Sequence, residues 1–105
     1  MAEFKNVQGI SRVSFTQNVQ CFCPLGDDWY TNHLTVKMQM GEIIPDYCDV
    51  DDFIRSISGR SLIIEDVVQQ VYEYFDNTCR PKSLYVESYV DDAKHLPVTV
   101  IKESK

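Results

Sequence analysis

The stretch from Arg60 to Phe75 carries apolar side chains at Ile64, Val67, Val68, Val71 and Phe75. Steps of three and four residues put all five on one stripe of an α-helix. Such a helix must bury its stripe against another layer, and this requirement limits what the rest of the chain can be. The flanking sequence supplies that layer. Val13, Phe15, Val19, Cys21 and Cys23 alternate with Arg12, Ser14, Thr16, Asn18 and Gln20, the period of a half-buried strand. Pro24-Leu25-Gly26-Asp27-Asp28 is a turn, because proline cannot donate to a ladder and Gly-Asp is a favoured loop pair. In the strand that follows, Tyr30, Leu34, Val36, Met38 and Met40 face one way and Trp29, Thr31, His33, Thr35, Lys37 and Gln39 the other.

Gly41 to Tyr47 breaks the alternation. Asp49 is then placed to cap a short helix from Val50 to about Ile57, with Phe53, Ile54 and Ile57 as its apolar side and Gly59 ending it. After the main helix, Asn77 to Lys82 reads as a connector. Leu84, Val86 and Val90 form a third strand, Asp91 to His95 a turn, and Leu96, Val98 and Val100 a fourth strand whose Pro97 marks an edge. The order predicts an α+β fold: a four-stranded antiparallel sheet with two helices on one face, ββααββ. Residues 1–10 read as an N-terminal tail and 11–105 as a single domain. One sheet face stays uncovered. Protomers joined edge to edge into a barrel would place Thr31, His33, Thr35 and Lys37 in a lumen and create clefts between subunits, so a homo-oligomer is expected.

A net charge of −6 disfavours a broad contact with tRNA, whose affinity for proteins comes largely from Lys and Arg displacing counterions, and favours small-molecule ligands. Cys21, Cys23, Cys48 and Cys79 read as reduced thiols. No metal is expected, since Cys21-Phe22-Cys23 has one residue between its thiols and His33 and His95 stand in no ligand spacing. No apolar run reaches membrane-spanning length and Met1 to Gly9 lacks a signal-peptide core, so the expected location is cytoplasmic with no membrane contact.

Glu65 opens the main helix, where the helix dipole stabilises a carboxylate, and Ile63 and Ile64 precede it. It is a candidate ligand-holding acid; the plainer alternative is that Glu65 and Asp66 simply favour a helix start. Cys23 ends the first strand, where a cysteine commonly serves as a small apolar filler. Trp29 can stack on a heterocycle or form a subunit contact, and His33 is a solvated or lumen-lining residue that alternatively touches a ligand.

The element order, with Cys23-Pro24 ending the first strand and Glu65 opening the second helix, resembles the tunnelling fold (T-fold) of purine- and pterin-acting enzymes from about Ser11 to Lys102. The resemblance implies that Glu65 anchors the amidine-like edge of a ring. Within that superfamily the Cys-Pro pair looks most like the nitrile reductases of queuosine synthesis, which reduce cyano-deazaguanine to its aminomethyl form with NADPH. This implies Cys23 as the nucleophile that forms a thioimide and Asp28 as the proton-transfer residue; Trp29 and His33 are candidate substrate contacts by their position alone. The Lys- and Ser-rich nicotinamide-binding segment has no recognisable counterpart, Asp49-Val50-Asp51-Asp52 being acidic, and Ile64 stands where those reductases have a His. A shorter related branch lacks that segment and adds ammonia to the same nitrile to make archaeosine. A non-catalytic T-fold module that binds a heterocycle or serves in assembly is the alternative from another class.

Overall fold

In the computed structural model, which describes residues 4–104, the chain runs β1 (Phe4–Lys5), β2 (Arg12–Cys23), β3 (Asp28–Gln39), β4 (Ile43–Ile44), α1 (Tyr47–Ile57), α2 (Ile64–Cys79), β5 (Ser83–Val90) and β6 (Val98–Glu103). The alternating runs do what their period requires. They pair as one antiparallel sheet in the order β2-β3-β5-β6. Its register aligns Phe15, Val36 and Val86 in one row and Val13, Met38 and Leu84 in another. Both rows face the helices. α2 lies over β5 and β6, and α1 lies against β2.

Val67, Val71 and Phe75 are fully buried between helix and sheet, and the rings of Phe15 and Phe75 meet at 5.5 Å. Each such side chain contributes about 1.5–3 kcal/mol on leaving water. Phe53 and Tyr74 stack at 4.1 Å, which fastens α1 to α2. One buried pair is polar: Asn32 donates to the Val19 carbonyl at 3.2 Å and accepts from the Ser88 hydroxyl at 2.8 Å. Both groups are satisfied, so their burial costs little.

The fold class is the predicted one, and its details differ in four places. Asp46 caps α1 in place of Asp49, its carboxylate accepting from the amides of Cys48 and Asp49 at 3.0 and 3.4 Å. The earlier aspartate follows Pro45 in an extended conformation suited to a cap, and Asp49 falls in the first turn, where the dipole favours it. α2 continues through the expected connector to Cys79, because Cys79 lies four residues after Phe75 and extends the buried stripe. Arg80, at φ 45°, ends it in the left-handed region just before Pro81. β6 starts at Val98, leaving Leu96 73% exposed. Finally, Phe4 and Lys5 pair with Ile44 and Ile43, and the Asn6 side chain bonds both Ile10 and the Gly41 carbonyl, so Phe4 to Asn6 of the segment read as a tail are held against the domain. The helix-free sheet face presents Trp29, His33, Lys37, Tyr85, Tyr89 and Ile101. None of the helices among the described residues is long and apolar enough to cross a membrane.

Candidate functional site

Antiparallel order places the β2–β3 turn and the β5–β6 loop at the same end of the sheet. The start of α2 is brought there by the segment that links the helices. Gly59 takes a φ of +83°, a left-handed conformation that glycine adopts without strain, and its amide donates to the Gln20 carbonyl at 2.8 Å. The Phe22 amide donates to the Arg60 carbonyl at 2.9 Å, and the Leu62 amide donates to the Phe22 carbonyl at 3.0 Å. This short ladder, with Ser61 bridging Phe22 in parallel, runs along the outer edge of β2 toward Cys23. The buried Tyr30 hydroxyl donates to the Leu62 carbonyl from beneath. Burial also pushes the Tyr30 phenol well above its ordinary range, so it stays a donor.

The three segments enclose a cleft of about 550 Å³, a size suited to a bicyclic heterocycle. Cys23, Asp28, Trp29 and Glu65 all line it, together with Leu25, Ile64, Lys94 and His95. Cys23 and Asp28 are direct partners in the ladder and close the β2–β3 hairpin. Directly opposed residues share a face, with Cβ atoms about 4.5–5.5 Å apart, so thiol and carboxylate stand side by side. The turn between them is tight: Asp27 sits at φ 54°, its amide donating to the Cys23 carbonyl at 2.9 Å, and the Gly26 amide donates to Cys23 Sγ at 3.3 Å. Asp28 accepts from the Trp29 amide at 2.8 Å, and its other oxygen lies 3.9 Å from Lys94 Nζ. Trp29 is 48% exposed, with its ring edge-on to Phe22 at 5.4 Å.

Glu65 follows Ile63 and Ile64 at the opening of α2, a helix end that no side chain caps. Its carboxylate is exposed and, among the described residues, accepts no side-chain or backbone bond. Both oxygens are free for a ligand. Cys21, one pleat below Cys23, is a different kind of thiol: it is buried, and desolvation pushes its pKa up against the opposing pull of Arg60. In the β5–β6 loop, Asp92 accepts from the Thr31 amide at 2.9 Å. Partial burial pushes the Asp92 carboxyl up, but the bonds from Thr31 and its own amide, with the charge of His33, together outweigh it and leave the pKa below the ordinary value.

His33 does not join this group. It sits on the helix-free face, bonded through Nδ1 to Asn18 Oδ1 at 2.8 Å, with Nε2 3.5 Å from Asp91. Lys94 and His95 line the cleft without having been singled out. The signal that finds them is topological, since two hairpin loops on one end of an antiparallel sheet become neighbours once the strand order is known. Among the described residues, no group of three His, Cys, Asp or Glu is placed to hold a metal ion. The cleft also does not fit the phosphates of NADPH: it carries Asp28 and Glu65, and its one ammonium, Lys94, is already engaged by Asp28 and the Gly26 carbonyl.

The sheet order and two helices on one face are the ββααββ arrangement of the tunnelling fold. A solved structure described as the archaeosine synthase QueF-like in the apo form superposes on it with a TM-score of 0.80, covering 90% of this chain and 94% of that one. Identity over that superposition is 16%, so the likeness is one of fold. No protein-family model matches the sequence, and no curated protein matches it.

Proposed function

We propose that this chain acts on the nitrile of a cyano-deazaguanine-type heterocycle, converting it to an amidine with ammonia. The observation that carries this reading is that Glu65, far in sequence from the hairpin pair Cys23 and Asp28, lines one cleft of suitable size with them. Glu65 offers two free oxygens to the paired N–H donors of a guanine-like edge, a bidentate and charge-assisted contact. Cys23 adds to the nitrile carbon; the sulfur's electron pair forms the S–C bond, one C–N π bond breaks, and its pair on nitrogen takes the thiol's proton, with Asp28 beside the sulfur to relay it. Ammonia then adds to the thioimide carbon, and the C–S bond breaks to return the thiol and release the amidine. No electron is gained or lost.

The likeness to a structure named as an archaeosine synthase supports ammonia over hydride as the second reactant. So does the cleft's poor fit to NADPH, which leaves the nitrile reductase as the second reading. The net charge of −6 supports a free heterocycle over a tRNA-borne one. Incubating the protein with cyano-deazaguanine and either ammonium or NADPH tests this, with products resolved by mass. The amidine is expected with ammonium alone. An aminomethyl product with NADPH would move the chain to the reductases, and bound but unchanged nitrile in both reactions would leave a binding module.

A further inference from the structure

Deepening the reading of Cys23 as nucleophile, on which it rests, we propose that Lys94 is a positioning residue of the site, acting through Asp28 and Gly26 on the Cys23 sulfur. Cys23 shares its turn with Asp27 and pairs directly with Asp28 across the ladder, so carboxylates stand close to the attacking residue. The loop across the cleft supplies a cation. Lys94 Nζ lies 3.9 Å from Asp28 Oδ2 and donates to the Gly26 carbonyl at 3.4 Å. The amide of the same Gly26 donates to Cys23 Sγ at 3.3 Å. One ammonium therefore offsets the charge facing the sulfur and holds the residue that donates to it. It also ties the β5–β6 loop to the β2–β3 turn across the mouth of the cleft. The Lys94 and Asp28 side chains are 66% and 54% exposed, so their pairing contributes little to global stability and acts locally.

Alkylation by iodoacetamide at neutral pH, followed peptide by peptide, reads the sulfur directly. Cys48 is exposed on α1 and serves as the internal reference, while Cys21 and Cys79 are buried. Lys94→Met is expected to lower the Cys23-to-Cys48 rate ratio about fivefold, the scale of a unit charge removed near a partly solvated sulfur. Lys94→Arg should keep most of the ratio. Adding Asp28→Asn to Lys94→Met should restore it, because the charge that Lys94 offsets is then gone. A merely structural Lys94 would show no such rescue. An unchanged ratio in Lys94→Met, with Lys94→Gln as a second variant and melting curves confirming both folded, would overturn the proposal. So would a loss that Asp28→Asn leaves unrestored. Alkylation needs no nitrile, so failure of the wild type to turn over cyano-deazaguanine would count against the proposed reaction and not against Lys94.

Discussion

Glu65 is the residue whose surroundings separate a binding site from a helix start. A carboxylate serving only the dipole of α2 contributes at most about 1 kcal/mol and concerns no ligand. One that accepts two N–H bonds from a guanine-like edge loses an acceptor in Glu65→Gln and leaves a ligand donor facing another donor. Affinity for a deazaguanine should then fall by about 2 to 4 kcal/mol by calorimetric titration, with the melting midpoint barely moved. Equal affinities of the two forms would return Glu65 to the helix-start role. Glu65 and Cys23 were legible because each ends or opens a strongly periodic run. Lys94 and His95 were not, since a polar loop residue carries no periodicity and gains a role only from what folds opposite it. His33 shows the converse: strand alternation correctly set its face, but which sheet face borders the cleft is decided by the linker between the helices.

At the level of elements, that linker is what places Glu65 near Cys23. Gly59 to Leu62 pairs with the end of β2, and the Tyr30 hydroxyl holds the Leu62 carbonyl from the core. Tyr30→Phe keeps the ring and leaves that buried carbonyl without the hydroxyl, so a loss of about 1–2 kcal/mol is expected in urea unfolding. Ligand affinity should fall with it, because the start of α2 loses one of its ties. A variant as stable as the parent would mean that the hydroxyl contributes nothing to seating the linker. The linker was illegible in sequence because Gly-Arg-Ser-Leu has no strand period and is held by edge pairing, a tertiary effect. The strands and the α2 stripe were legible for the opposite reason, their periods being those of their burial. Asn32 escaped that logic: a polar residue in an apolar row shows its partner Ser88 only once β3 and β5 are in register.

The whole molecule is thin, its Cα extents being 46 × 26 × 17 Å. Its radius of gyration of 14.3 Å exceeds the roughly 13 Å of a compact chain of this length, as a two-layer slab requires. Trp29, Tyr89 and Ile101 are exposed on the helix-free face or its rim, and β6 is an edge strand. The linker covers the Cys23 end of the β2 edge and, among the described residues, leaves the pairing groups from Arg12 to Asn18 without a neighbouring strand on that side. Slabs of this kind bury such edges by association, so we propose a symmetric homo-oligomer, with clefts completed at subunit boundaries. Light scattering at micromolar concentration should give a multiple of the chain mass, and a monomer would remove the barrel. The central claim, that Cys23 attacks a nitrile held in the cleft, is tested most directly by intact-protein mass spectrometry after incubation with cyano-deazaguanine without ammonia. The account predicts one added heterocycle per chain, located on Cys23 by peptide mapping and lost in Cys23→Ala; an unmodified wild type under saturating ligand, or an adduct that survives in Cys23→Ala, would contradict it.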